Sequence, residues 1–291
     1  MTYYNLVLSG GAFKSCAFIG CIKYLEEIKA VTTIKNVIGS SAGGIIALMY
    51  CVGVSTNEMR DLMVKGMHDY LDKDIDVEAV FDIFDTMGLD DASIFTSMMR
   101  DLLSKTFNDP DINFRDFSKA TGKNFVVTGS NVSLAKVEYF SIDTTPEMSV
   151  VDAVRISISL PFVMKPVVYK ECIYVDGSIF NNFPIEYFQT PGKPFQDTIA
   201  LLLGCPFTPP KVTDLNLFKF TRILIDAMFM RVNEKISNVG KNNQVINMEF
   251  PDDNYGFDLG TFKLIMNDTK LEEYIAYGYK SIKKQITVSP H

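Results

Sequence analysis

Along the 291-residue chain, short apolar runs alternate with stretches in which apolar residues recur at helical spacing. The runs at Asn5–Leu8, Asn36–Ile38, Phe125–Thr128, Cys172–Val175 and Thr198–Leu203 are bounded by Gly, Asn and Ser, and they predict strands buried on both faces. Val137–Ile142 alternates with period two and predicts a strand beside Phe125–Thr128. Between these runs, Phe18, Ile22, Leu25 and Ile28 share one face of a helix. Ser55-Thr56-Asn57-Glu58 has the form of a capping box that opens another, and Ser93 precedes a helical pattern from Ile94 to Lys105. Strands that alternate with helices predict an α/β fold, a sheet covered by helices, with sites gathered at the carboxyl ends of the strands.

The clearest break in composition is Pro206 to Pro210. Beyond it, Leu215–Ser237 and Asp268–Lys284 have helical patterns whose apolar faces need a surface to pack on. Residues 206–291 are therefore expected to form a mainly helical extension on a core of residues 1–205, the whole making one domain.

Composition removes several classes. Hydrophobic residues at 47% and charged residues at 22% argue against disorder, and no repeat is present. The most apolar long stretch, Leu215–Val232, is interrupted by Lys219, Arg222 and Asp226, so no membrane span is expected. Met1–Leu8 lacks a basic region followed by a long apolar core, so it is not expected to act as a secretory signal. Cys16, Cys21, Cys51, Cys172 and Cys205 are odd in number and form no C-x-x-C pair, which suits reduced thiols in a cytoplasmic protein and offers no metal-ligand spacing. The formal charge of -7, with no long basic run, argues against a nucleic-acid partner and does not favour attraction to strongly anionic membranes.

Candidate chemistry centres on Gly39-Ser40-Ser41-Ala42-Gly43, a G-x-S-x-G sequence between the apolar runs Val37-Ile38 and Ile45–Met49. A strand, a sharp turn and a helix in that order hold a serine hydroxyl at the tip of a sheet. Only Ser41 has glycine two positions away on both sides, Gly39 and Gly43, so Ser41 is the candidate nucleophile. The same pentapeptide also serves as an ordinary tight connection. A serine needs a base, and the two histidines are poorly placed: His68 lies in a polar segment and His291 is the last residue. The base is then expected to be a carboxylate, and Asp176 ends the apolar run Cys172–Val175 in an Asp-Gly turn. Turn formation alone would equally explain that pair.

A third element, Ser9-Gly10-Gly11-Ala12-Phe13-Lys14-Ser15, follows the first strand and precedes a helix. Its backbone N–H groups can receive an oxyanion or a phosphate. A Walker A loop needs glycine directly before Lys-Ser, where Phe13 stands, and no G-x-G-x-x-G is present. The oxyanion alternative remains.

With these three elements in this order, the chain resembles the patatin-like phospholipases. Asp152–Pro161 resembles the family's segment before its catalytic strand, and Asn181-Asn182-Phe183-Pro184 the segment after it. The resemblance runs from Leu6 to Gly204, with weaker echoes at Tyr255–Asp258 and Gly278-Tyr279. It implies a three-layer α/β/α fold with a central mostly parallel sheet. It further implies a Ser41–Asp176 dyad, an oxyanion hole from Gly10, Gly11 and Ala12, and Lys14 at a substrate phosphate, with neither metal nor cofactor. The implied reaction is acyl-ester hydrolysis of phospholipids or related lipids through an acyl-enzyme, and weak peripheral membrane contact is expected with it. The chain departs from the family at Ala12, Lys14, Ser15 and Ser178, where glycine, arginine, glycine and often glycine are usual. Two alternatives stay open: a soluble-ester or thioester hydrolase on the same dyad, and a catalytically silent lipid-binding or interaction protein, which Ala12, Ser15 and Ser178 make conceivable.

Phe13, Met63, Met67, Phe162, Met164, Phe218, Phe220, Met228 and Met230 are candidates for an apolar approach, although residues of this kind are more often plain core. Asp258 reads as a turn carboxylate, and Arg155 as an exposed or paired helix residue.

Overall fold

The computed structural model describes residues 3–73, 83–188, 197–204, 244–250 and 266–287, together with the single positions 220, 223, 224 and 227. In chain order the strands are β1 Asn5–Leu8, β2 Asn36–Gly39, β3 Gly88–Asp90, β4 Asn124–Asn131, β5 Lys136–Phe140, β6 Phe162–Met164, β7 Val167–Tyr169, β8 Cys172–Asp176, β9 Thr198–Gly204 and β10 Gln244–Glu249. The helices are α1 Cys16–Glu27, α2 Ala42–Val52, α3 Thr56–Asp72, α4 Ile83–Thr86, α5 Ser93–Phe107, α6 Phe114–Thr121, α7 Val150–Ser157, α8 Ser178–Asn181 and α9 Asp268–Thr287.

The main sheet runs β10-β9-β1-β2-β4-β8-β7, with β5 on the other edge of β4. Strands β10, β9, β1, β2 and β4 pair in parallel, while β5 and β8 are antiparallel to β4. Alternate residues of the parallel strands enter different cores. Leu6, Leu8, Val37, Phe125, Val127, Ile199 and Leu201 join the helices, whereas Val7, Ile38, Val126 and Ala200 pack on Phe183, Ile185 and Phe188. Period-two burial on both faces is what continuous apolar strands require, and it gives the three layers expected of the sequence. A separate two-stranded sheet pairs β3 with β6.

Two registers on β4 bring distant segments together. Gly39, the last residue of β2, lies opposite Val127, and two residues further along β4 Gly129 lies opposite Asp176, the last residue of β8. Val127 and Gly129 also face Phe140 and Glu138 of β5, so β2 and β8 occupy the same edge of β4, opposite β5. One runs parallel to β4 and the other antiparallel. Their carboxyl ends therefore meet head to head, and the turns that follow them, at Ser41 and Gly177, share one space.

The described portion of residues 206–291 holds a strand as well as helix. Gln244–Glu249 forms β10 and extends the sheet beside β9. Helix α9 covers the segment expected at Asp268–Lys284, and the expected helix Leu215–Ser237 falls mostly outside the described residues. Helix α9 packs on α1 at two glycines. A Cβ at Gly278 would sit 1.8 Å from the Ala17 carbonyl oxygen, and one at Gly20 would sit 1.9 Å from that of Ile275. The two backbones touch because neither position has a side chain. Gly278→Ala must push α9 off α1, and urea unfolding should register a loss of about 1–3 kcal/mol with an unchanged m-value.

Candidate active site

Ser41 occupies the turn between β2 and α2 with φ 51° and ψ -132°, a left-handed backbone that is costly for a residue with a Cβ. Its neighbours make the turn feasible. A Cβ at Gly43 would lie 2.3 Å from the Ser9 carbonyl oxygen, and one at Gly39 would lie 2.5 Å from that of Gly43, so only glycine lets α2 start against the end of β1. The Ser41 N–H donates to Ser157 Oγ at 2.9 Å. Beside it, Ser40 is buried, donates to the Asn181 carbonyl at 3.0 Å and accepts from Thr128 Oγ1 at 2.9 Å. This local scaffold leaves the Ser41 hydroxyl aimed at Asp176.

The Ser41 hydroxyl donates to Asp176 Oδ2 at 2.7 Å. Asp176 is 1% exposed, and its other oxygen, Oδ1, accepts the Ser178 N–H at 2.8 Å and the Ser178 hydroxyl. Its own N–H donates to the Ser159 carbonyl at 2.8 Å, and the next N–H, of Gly177, donates to the Ser157 carbonyl. Burial pushes the Asp176 carboxyl up from 3.8 to about 6, against the opposing pull of the Ser178 and Ser41 hydrogen bonds. Asp176 is thus ionised above about pH 6 and accepts a hydrogen bond from an alcohol, without an imidazole between them.

His68, the histidine among the described residues, lies elsewhere. His68 is exposed and shares a 2.6 Å contact with Asp268, and His291 is outside the described residues, as is Asp258.

The glycine loop ends in a turn of 3-10 helix, Ala12–Ser15. The Gly10 N–H is engaged, donating to the Asn182 carbonyl at 3.1 Å. The N–H groups of Gly11 and Ala12 have no acceptor among the described residues. Ala12 also has a left-handed φ of 49°, at the position where the resemblance led us to expect glycine. Lys14 does not line the cavity around Ser41; its ammonium lies 5.8 Å from the centre of the Phe250 ring.

That cavity has a volume of about 180 Å³, with Ser41, Asp176 and Tyr70 as its polar lining. Phe13, Met63 and Met164 take part in the lining, as their residue types suggested. Met67 is core instead, Phe162 and Phe220 are exposed, and Phe218, Met228 and Met230 are outside the described residues. Phe13, Tyr70 and Phe95 form a cluster with ring centres 5.7–6.5 Å apart. Burial, with a smaller contribution from Asp90, pushes the Tyr70 phenol up to about 12, so it stays neutral and adds no charge to an apolar chamber.

Residues 155–165, which overlap the family-like segment Asp152–Pro161 and run past it, bind both halves of the site. Ser157 and Ser159 hold Ser41, Asp176 and Gly177, while Ile158, Leu160, Val163 and Met164 line the cavity. A pair of buried serines inside an apolar run was the available signal. Arg155 ties the stretch down by donating to the Asp91 carbonyl at 2.8 Å, the Lys165 carbonyl at 2.7 Å and Ser159 Oγ. Arg155→Met keeps the packing volume and removes three charge-assisted bonds, so it should cost about 2–4 kcal/mol, measurable as a lower urea midpoint.

Four of the five cysteines are among the described residues. Cys16, Cys21, Cys51 and Cys172 are free, and burial holds the first three well above the usual thiol range.

Comparison with known proteins accords with this geometry. The patatin-like phospholipase family model matches residues 6–188, and the chain belongs to that family. A probable lipid hydrolase of Invertebrate iridescent virus 6 is 30% identical over 185 residues, which make up 63% of this chain and 62% of that protein, under two thirds of its length. An uncharacterized protein of Acanthamoeba polyphaga mimivirus is 27% identical over 290 residues, 97% of this chain and 93% of its own. Among solved structures, VipD from Legionella pneumophila superposes with a TM-score of 0.56 at 16% identity over 98% of this chain and 67% of that one, a likeness of fold. No described helix is long and apolar enough to cross a membrane.

Proposed function

We propose that the protein is a serine acyl hydrolase acting on carboxylic esters of phospholipids or related lipids through Ser41 and Asp176. The observation that carries this reading is the 2.7 Å hydrogen bond from the Ser41 hydroxyl to a buried carboxylate at an apolar cavity. Family membership and the viral probable lipid hydrolase support the substrate class.

As Ser41 Oγ attacks the ester carbonyl carbon, Asp176 Oδ2 takes the hydroxyl proton and the carbonyl oxygen becomes an oxyanion. The N–H groups of Gly11 and Ala12 receive that charge; the Gly10 N–H, which the sequence included, is already held by Asn182. Collapse of the intermediate breaks the bond to the leaving alcohol, which takes the proton back from Asp176. Water, deprotonated in its turn by Asp176, then attacks the acyl carbon, and as the bond to Ser41 Oγ breaks the serine takes the proton from Asp176 and the fatty acid is released. An ordinary solvated aspartate is a feeble base near neutral pH, and burial corrects this by bringing the carboxyl to about 6.

A fluorophosphonate probe should label the wild-type protein and fail to label Ser41→Ala. Ser41→Ala and Asp176→Asn should each lower kcat on a soluble ester about a hundredfold or more. Full turnover by either variant ends this reading. Because only ionised Asp176 is a base, wild-type kcat/KM should rise with pH through a midpoint near 6.

The same carboxyl has an opposite effect on stability. The unfolded chain loses this proton near 3.8 and the folded chain near 6, so the folded state binds more protons in that window and stability falls as pH rises through it. Above pH 6 the ionised group costs about 3 kcal/mol. Asp176→Asn should accordingly melt higher than wild type at pH 8 while losing activity.

A further inference from the structure

Ser178 stands where the resemblance leads one to expect glycine, and its hydroxyl is turned onto the carboxylate just described. We propose that this hydroxyl is a third functional member of the site, a positioning residue that binds Asp176 Oδ1 so that Oδ2 stays on Ser41. The inference rests on the dyad reading above and extends it to a side chain with no role in that mechanism.

The geometry isolates the interaction. The Asp176 carboxylate accepts three hydrogen bonds, Oδ2 from Ser41 and Oδ1 from both the N–H and the hydroxyl of Ser178, while the Asp176 N–H donates to the Ser159 carbonyl. Ser178 is 3% exposed, so water does not compete for its hydroxyl. Its Cβ lies only 3.2 Å from where a Cβ on Gly10 would stand, which packs it between the glycine loop and the carboxylate. A glycine at position 178 would keep the N–H bond and lose the hydroxyl bond. The carboxylate would then be held at Oδ1 by one donor in place of two.

Among the described residues, the hydrogen-bond donors to the Asp176 carboxylate are hydroxyl and amide groups. Strand β4 presents Thr128, Gly129 and Ser130, the end of α7 presents Ser157 and Ser159, and the α2 turn presents Ser41. The ionisable side chains on the surrounding elements are engaged elsewhere: Arg155 with Ser159, Asp152 with Arg100, Tyr174 with Glu138, and Lys14 over Phe250. Burial raises the Asp176 carboxyl, and hydroxyl and amide donors oppose that rise. Two donors on Oδ1 favour the ionised form, and the hydroxyl of Ser178 is the larger of its two contributions. The side chain keeps a deeply buried aspartate charged near neutral pH and fixes its carboxylate plane for the transfer.

Two measurements on Ser178→Ala, Ser178→Gly and Ser178→Thr test this. Carbon-13 NMR of protein labelled at the aspartate carboxyls, with Asp176→Asn to assign the resonance, reports the titration of Asp176 whether or not the protein turns over an ester. The Ala and Gly variants should titrate about one pH unit higher than wild type, and Thr should return toward wild type. On a soluble ester, the acid limb of kcat/KM should move up by the same amount in Ala and Gly with KM unchanged. A purely structural role would lower activity equally at every pH and leave the midpoint in place. Coincident NMR midpoints for wild type, Ala and Gly overturn the proposal. Absence of turnover in wild type alongside shifted NMR midpoints would instead refute the hydrolase reading and leave the Ser178 contact standing.

Discussion

The edge of β4 is the constraint on which the site depends. A strand edge offers one row of hydrogen-bonding groups, and here two strands use it in succession, β2 over the first half and β8 over the second. Because β2 is parallel and β8 antiparallel, both arrive at the junction with their carboxyl ends. Neither turn needs a long loop to reach the other, and residues 135 positions apart in sequence become hydrogen-bonded neighbours. A register slip by one residue would turn the Asp176 side chain to the opposite face of the sheet. Gly129, opposite Asp176, also has Phe140 and Ile156 packed where a side chain would be, so that face of the pairing admits no larger residue.

Placing a carboxylate at such a junction sets two effects against each other. Removal from water disfavours the charge, and donors from Ser41 and Ser178 favour it. Desolvation wins by about two pH units, which makes Asp176 a better base and a worse contributor to stability. Serine hydroxyls are suited to this balance because they stabilise the anion without a formal positive charge, which would drive the pKa back down and spoil the base.

Much of this was legible in sequence, for identifiable reasons. Strands β1, β2, β4, β8 and β9 are apolar runs bounded by Gly, Asn and Ser, a pattern that needs no tertiary information, and the Ser55–Glu58 capping box formed as its spacing required. The Ser41 turn between β2 and α2 was readable because sterics restrict its flanks to small residues. Strands β3 and β6, three residues each, are too short for any periodicity to register. Strand β10 lies in a region whose composition suggested helices, and its pairing with β9 is a long-range event. The engagement of the Gly10 N–H could not be read either, since it depends on a carbonyl at Asn182 that only the folded β8–α8 turn brings near.

Backbone strain completes the account of why the site is rigid. Ala12 and Ser41 both carry a left-handed φ, and both line the same cavity. Each costs about 1–2 kcal/mol relative to a relaxed backbone, so each would revert unless its surroundings forbade it. For Ser41 the surroundings are explicit: the N–H is held by Ser157, the Oγ by Asp176, the preceding serine by Asn181, and the following helix by contacts that only glycine allows. Ala12 has no comparable set of bonds; it is held from one side by the Gly11–Lys14 turn and from the other by Gly10 on Asn182. The two strained residues are therefore fixed by different means, the serine by side-chain partners and the alanine by its turn. A substitution that loosened the Asn182 carbonyl would act on Ala12 first and leave the Ser41 turn in place.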